Sequence, residues 1–300
     1  MNHSENKAKV GFIGLGIMGG AMATRVAAAD YPLHVYNRSR AKAQSLVDAG
    51  ATWHDTPASL AAVADVIISI VGTPTDVRDL YLGNAGLLAN ARPAAVLIDM
   101  TTSSPALAQQ LARDAQARSI DMLDAPVSGG EIGAREGRLS IMVGGSAEAL
   151  ARVEAILHCM GTNVVLQGGP GAGQHTKLCN QIVIASTMLG VAEGLSYARN
   201  AGLDVQTVLS SIGSGAASGF LLNNLGPKMA NGDFAPGFMI EHFVKDMALA
   251  YEEALAMGHE LPGLQLAQRL YQQLVETGFA RAGTQALVNA YAWGKTDENH

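Results

Sequence analysis

Cysteine is nearly absent from this 300-residue chain: Cys159 and Cys179 are the only two, and neither lies in a CxxC. That excludes a disulfide framework and a cysteine-built metal centre, and it suits a reducing compartment. No metal site is expected. Positive charge is in deficit, with 20 Lys and Arg against 26 Asp and Glu and a formal net charge of −6. The basic residues are scattered, so the electrostatic footprint of a nucleic-acid binder is missing and nucleic acid is not an expected partner. No window offers 18 unbroken apolar residues, and the start, MNHSENKAKV, is polar. Neither a membrane anchor nor a leader is expected, and the cytoplasm is the expected location. Aromatics make up only 5% of the chain, yet 48% hydrophobic residues are enough for an ordinary folded protein.

Three hundred residues exceed what one hydrophobic core usually serves, which favours two domains. In the first half, short β-branched or apolar runs at Val10–Ile13, Leu33–Tyr36, 66–71, 96–100 and 122–123 alternate with amphipathic stretches. The alternation predicts an α/β fold with a Rossmann-like doubly wound parallel sheet. After Pro170 the strand signals stop. Residues 174–199 read as one long helix, apolar on more than one side, which calls for burial nearly all round. Further helices are predicted over Val205–Ile212 and over 219–229, 238–257, 263–277 and 284–293, separated by Gly, Asn and Pro. The GGPGAG segment at 168–173 marks a joint. The expected organisation is a dinucleotide-binding domain over 1–170, an interdomain helix over 171–200 and an all-α domain over 201–300, the last serving substrate binding and dimerisation. The polar end at His300 is expected to fray.

The first strand runs directly into Gly14, Leu15, Gly16, Ile17, Met18 and Gly19, a GxGxxG that opens a helix near Met18. Glycines there allow the tight turn and the close approach of a pyrophosphate to the helix N-terminus. The motif alone is weak evidence. Its position in a strand, turn, helix and second strand is the context that dinucleotide binding requires. At the end of the second strand, where a carboxylate would bind an unmodified ribose, the chain carries Asn37, Arg38, Ser39 and Arg40. Those donors suit a 2′-phosphate, so NADP is expected over NAD. The bland alternative is that the arginines are solvated residues at a helix start.

Two further features carry chemistry. Ser128, Gly129 and Gly130, in DAPVSGG, offer a hydroxyl and unobstructed backbone N–H groups, a cradle for a substrate carboxylate. Read alone, the same residues also fit a glycine-rich turn. On the long helix, Lys177 precedes Asn180 and Gln181 by three and four residues, so all three share a face. A lysine on such an apolar helix is either a snorkelling surface residue or a general acid or base whose neutral form is favoured by desolvation.

The motifs GFIGLGIMGGAMA, DMTTSSP, DAPVSGG, GAGQHTKLCNQ and HFVKDMALA follow one another over almost the whole length, and in this order the chain resembles the β-hydroxyacid dehydrogenase family. That family includes 3-hydroxyisobutyrate dehydrogenases and tartronate semialdehyde (2-hydroxy-3-oxopropionate) reductases. The resemblance implies reversible hydride transfer between NADP or NAD and a small β-hydroxyacid or its semialdehyde. It makes Lys177 the catalytic acid/base, with Asn180 and Gln181 orienting substrate beside it, and it assigns the carboxylate to Ser128, Gly129 and Gly130. It further places Thr102 and Lys245 at the cofactor, and passes the loop of Val71, Gly72, Thr73 and Pro74 beneath it.

Three departures stand out: Gly72 replaces a common proline, Arg138 a common threonine, and Gln181 the asparagine usual in 3-hydroxyisobutyrate dehydrogenases. Tartronate semialdehyde reductases resemble this chain at Gln181. The segment 214–220, which includes Ser218, is expected to line the substrate tail; a loose interhelical loop is the alternative. An imine reductase shares the architecture but usually lacks a lysine at Lys177, and a non-catalytic dinucleotide sensor would not need the lysine and the cradle together. A homodimer or homotetramer is the expected assembly.

Overall fold

The structure, a computed structural model, describes residues 7–291. Residues 1–6 of the polar amino terminus, residues 292 and 293 of the last predicted helix, and the end at His300 lie outside the described residues. The chain divides into two compact units between Lys177 and Leu178.

In the first unit β1 (Val10–Ile13), α1 (Ile17–Ala28) and β2 (Leu33–Tyr36) are followed by α2 (Gln44–Asp48), β3 (Thr52–Trp53) and α3 (Pro57–Ala61). Then come β4 (Val66–Ser69), α4 (Pro74–Tyr81), α5 (Leu87–Asn90), β5 (Val96–Asp99), α6 (Pro105–Gln116) and β6 (Asp121–Asp124). The unit closes with β7 (Val127–Ser128), α7 (Gly130–Glu136), β8 (Leu139–Gly144), α8 (Ala147–Leu157) and β9 (Gly161–Gly168). The strands form one sheet in the order β3-β2-β1-β4-β5-β6-β8-β7, with β9 paired to β8. Strands β1 to β6 are parallel, Val10 standing beside both Leu33 and Val66. The turn back comes at β8, antiparallel to β6 and β7.

The apolar runs explain the parallel core. Side chains alternate across the sheet, so Phe12, Ile68 and Ile98 enter one core while Ile13, Ile67 and Leu97 enter the other. A strand covered on both faces needs apolar residues at every position, as Val10–Ile13 supplies. Helix starts are marked by side chains: Thr56 caps α3, Thr73 caps α4 and Ser104 caps α6, each with proline at the first turn.

Helix α9 (Ala172–Asn200) begins in the first unit and continues into the second. There α10 (Val205–Ile212), α11 (Phe220–Ala230), α12 (Ile240–Ala256) and α13 (Pro262–Leu274) follow, with a final 3-10 segment at Thr284–Tyr291. Met188, Leu195, Met229, Phe243, Met247 and Tyr271 build its core. Among the described residues α9 is the one helix long and apolar enough to cross a membrane. Its buried Gln174, Lys177 and Gln181, two of them hydrogen-bonded to named partners in the chain, instead fit a helix packed on one side into a folded core. Val183 and Tyr197 stay exposed, so the burial nearly all round expected from its sequence is not met.

Candidate functional site

The glycine turn after β1 is built by close packing on one side and left open on the other. Gly14 has φ +93°, and a Cβ there would overlap the Ile70 carbonyl oxygen; a Cβ on Gly19 would overlap the carbonyl of Gly14. Gly16 differs, with nothing within 4 Å of its would-be Cβ. It is the N-cap of α1, and that helix start has neither a side-chain cap nor an acidic residue in its first turn. Unpaired N–H groups at the positive end of a helix, reached past a bare glycine, fit the pyrophosphate of a dinucleotide. Ile17 is half exposed beside them and Met18 packs against the sheet core.

The end of β2 lies against this turn. Asn37 Oδ1 accepts from Leu15 N at 2.9 Å and its Nδ2 donates to Ser39 O at 2.9 Å, so the side chain joins the glycine turn to the strand end. Arg38 reaches Asp76 at the start of α4, at 3.2 Å. The Arg40 guanidinium lies 5.3 Å from the centre of the Trp53 ring, which itself stacks on Tyr36.

The ends of β4 and β5 meet in a buried polar network. Val71 N donates to Thr101 Oγ1 at 3.0 Å, which ties the loop holding Val71 and Gly72 to the segment carrying Thr102. Beneath it Asp99 Oδ1 accepts from Ser69 Oγ at 3.1 Å and Thr101 N at 3.1 Å, while Tyr81 OH and Ser69 Oγ lie 2.8 Å apart. Burial pushes the Asp99 carboxyl up to about 6, against the hydrogen bonds from Thr101 and Ser69 that lower it. A carboxyl raised from 3.8 in the unfolded chain contributes stability that is full below pH 3.8 and is lost as pH rises through 6. The folded protein is therefore expected to lose up to about 3 kcal/mol from this group across that window. In Asp99→Asn, which keeps an acceptor oxygen, urea midpoints should fall less between pH 4 and 7 than in the parent. Parallel pH curves would rule out ionisation of a buried Asp99.

Ser128 ends β7, opposite Ser140 of β8. Gly129 and Gly130 follow with φ +136° and +65°, values that L side chains rarely adopt, and open α7 without a side-chain cap. Both glycines are exposed. Arg138, one of the departures in sequence, pairs with Glu136 on the surface.

Four residues before Ser128, Asp124 fastens the start of α9. Its two oxygens accept from Gly171 N and Gln174 N, each at 2.8 Å. Cβ atoms on Gly144 or Gly173 would run into this carboxylate. Burial raises the Asp124 carboxyl and the backbone donors, led by Gly171, lower it. Gln174 is 0% exposed, and its side chain donates to Thr101 O at 2.7 Å and accepts from Ser103 N at 2.8 Å. The first turn of α9 is thus bonded to the loop that carries Thr102. Lys177, one turn further on, is only 7% exposed. Burial of a lysine on a helix fixed this firmly disfavours the snorkelling alternative.

In the second unit Asn180 Nδ2 donates to Gln181 Oε1 at 2.8 Å, and Gln181 Nε2 donates to Asp246 Oδ2 at 2.6 Å. The other oxygen of Asp246 lies 2.9 Å from Lys245 Nζ. Gln181 therefore joins α9 to the KD pair of α12. Ser218 sits exposed in the loop between α10 and α11, where its Oγ accepts from Asn223 Nδ2 at 3.1 Å. A cavity of about 400 Å³ opens between these helices, lined by Leu209, Ser214, Leu222 and Asn223 among others; Ser218 is outside that lining.

Asp124, Gln174, Asp99 and Asp76 had no role in the sequence reading. A signal existed for the two strand residues: in MLDAP and LIDM an aspartate ends a buried apolar run, where an unpaired carboxylate would be costly.

The chain matches two family models end to end. Residues 9–169 match the NAD binding domain of 6-phosphogluconate dehydrogenase, and residues 171–291 match the NAD-binding domain of NADP-dependent 3-hydroxyisobutyrate dehydrogenase. It is 46% identical over 286 residues to a probable 3-hydroxyisobutyrate dehydrogenase-like mitochondrial protein of Arabidopsis thaliana, covering 95% of this chain and 85% of that one. It is 38% identical over 282 residues to 2-hydroxy-3-oxopropionate reductase of Escherichia coli, covering 94% and 96%. Among solved structures, that of Psf3 in complex with NADP+ and 2-OPP superposes with a TM-score of 0.87 at 28% identity, covering 93% and 99%.

Proposed function

We propose, on the premise that this chain belongs to the β-hydroxyacid dehydrogenase family and is an NAD(P)-dependent oxidoreductase acting on a CH–OH group, that it interconverts a short carboxylate-bearing semialdehyde and its hydroxyacid, with Lys177 as the acid/base and NADP as the preferred cofactor. The observation that carries the reading is the buried Lys177, one turn beyond the contacts that fasten α9 to the end of the sheet.

The bound nicotinamide supplies hydride exchange at the carbinol carbon. The bare helix start at Gly16 receives the pyrophosphate, and Arg38 provides the cation for a 2′-phosphate. During reduction the Lys177 ammonium gives a proton to the carbonyl oxygen as it becomes an alkoxide; during oxidation the neutral amine takes that proton back. Ser128 and the N–H groups of Gly129 and Gly130 hold the carboxylate, which fixes the other end of a short substrate. Asn180 lies one helical turn from Lys177, within reach of a substrate hydroxyl that the lysine also serves. The NADP+ held by Psf3 supports the cofactor preference. Self-association is part of the same proposal: Val183, Gly190, Gly194 and Tyr197 leave an exposed seam along α9, a face a second copy would cover.

The test is NADPH and NADH oxidation with glyoxylate, succinic semialdehyde, methylmalonate semialdehyde and tartronate semialdehyde, and the reverse reaction with 3-hydroxyisobutyrate. Turnover of at least one of them, faster with NADPH, is the expected result; no turnover of any carboxylate substrate defeats the proposal. Ser128→Ala should raise KM for carboxylate substrates about tenfold, the loss of one hydrogen bond to a charged group, and leave neutral aldehydes unaffected. Equal losses on both would dismiss the carboxylate cradle.

A further inference from the structure

We infer that Asp76 is a specificity-determining residue that restrains the preference for a 2′-phosphorylated cofactor; the inference rests on the reading of Arg38 as the 2′-phosphate partner. The starting observation is that Arg38 already has an anionic partner. Its Nη1 lies 3.2 Å from Asp76 Oδ1, with the arginine side chain 82% exposed and the aspartate 27%.

The two partners are held very differently. Asp76 Oδ2 accepts from Thr73 N at 3.0 Å and Thr73 Oγ1 at 2.8 Å, while Asp76 N donates to Thr73 Oγ1 at 3.1 Å, a reciprocal capping box at the start of α4. The carboxylate is thereby fixed, and the long exposed arginine comes to it. Gly72 leaves the carboxylate undisturbed, because a Cβ at that position would stand 2.9 Å from Asp76 Oδ2 and make it shift. The departure from the common proline at Gly72 thus leaves room for a charge beside the cofactor-binding end of β2.

Two consequences for anion binding follow. A 2′-phosphate must draw Arg38 from Asp76, or share it, and meets a fixed negative charge in doing so; an unmodified ribose meets neither cost. The same carboxylate also satisfies donors at the start of α4 that would otherwise attract an anion. Residues 37–40 carry no acid of their own, and Arg40 is occupied over Trp53, so Asp76 is the charge that opposes Arg38 there. Its removal increases discrimination for NADPH.

The test titrates unliganded protein with NADPH and with NADH, following quenching of protein fluorescence, for the parent, Asp76→Asn, Gly72→Ala and Arg38→Ala. Asp76→Asn, which keeps a capping side chain, should raise the ratio of the NADH Kd to the NADPH Kd by about fivefold at low salt, and by less at high salt. Gly72→Ala, which displaces the carboxylate without removing it, should move the ratio the same way by a smaller factor. Arg38→Ala should lower it. If Arg38→Ala leaves the ratio unchanged, the 2′-phosphate reading of Arg38 fails. If Arg38→Ala lowers it while Asp76→Asn leaves it unchanged or lowers it, the role of Asp76 alone fails.

Discussion

Lys177→Ala is expected to lose about 100-fold or more in kcat with the NADPH Kd held within about twofold. The expectation follows from placement. Lys177 is buried, and the start of its helix is bonded on one side to Asp124 and on the other, through Gln174, to the loop bearing Thr102. A proton donor held there acts on the forming alkoxide and contributes little to binding the cofactor, so kcat falls while cofactor affinity stays. Lys177→Arg should not rescue, because a guanidinium stays protonated and can neither give its proton to the alkoxide in reduction nor accept one from the hydroxyl in oxidation. Turnover equal to the parent in Lys177→Ala would remove the lysine from the chemistry.

The second large effect is expected at a residue that touches no substrate. In Asp124→Ala the N–H groups of Gly171 and Gln174 lose their acceptors in a buried setting. Two orphaned donors cost about 2–4 kcal/mol, partly offset by the relief of a buried carboxylate. For a domain of this size that is a fall of roughly 5–10 °C in Tm. Because the start of α9 would also loosen, kcat should drop about tenfold with KM for the semialdehyde little changed, a consequence of misplacement. Asp124→Asn restores one acceptor and should recover part of the Tm. A variant with the parent's Tm and kcat would show that the anchor is dispensable.

The central parallel strands were legible because β1, β4 and β5 are buried on both faces and are almost wholly apolar, whereas the parallel edge strand β3, the half-exposed pair Thr52–Trp53, was not predicted. Val10–Ile13 and Leu33–Tyr36 have the predicted bounds, as does helix Val205–Ile212. Strands β7, β8 and β9 were not predicted. In β9 seven of eight positions are exposed or half-exposed polar and apolar residues without a clean period of two, and β7 has only two residues. Their pairing is decided by β8, a partner distant enough in sequence that no local pattern reports it. The glycine turn and the lysine face were visible because each depends on local spacing. The anchors at Asp124 and Gln174 were not, since their hydrogen bonds join residues 47 to 73 positions apart in the chain. Arg38 was singled out as a cation, but its engagement by Asp76 depends on the fold.

The unguarded start of α1 carries a cost when no ligand is present. Helices α3, α4 and α6 of the same unit close their first turns with Thr56, Thr73 and Ser104, whereas α1, like α7, has no side-chain cap and leaves its leading N–H groups open past Gly16. Part of the free energy of the fold is thereby lodged in the dinucleotide. Resistance to unfolding is then expected to rise with cofactor concentration, because the dinucleotide binds the folded chain and not the unfolded one.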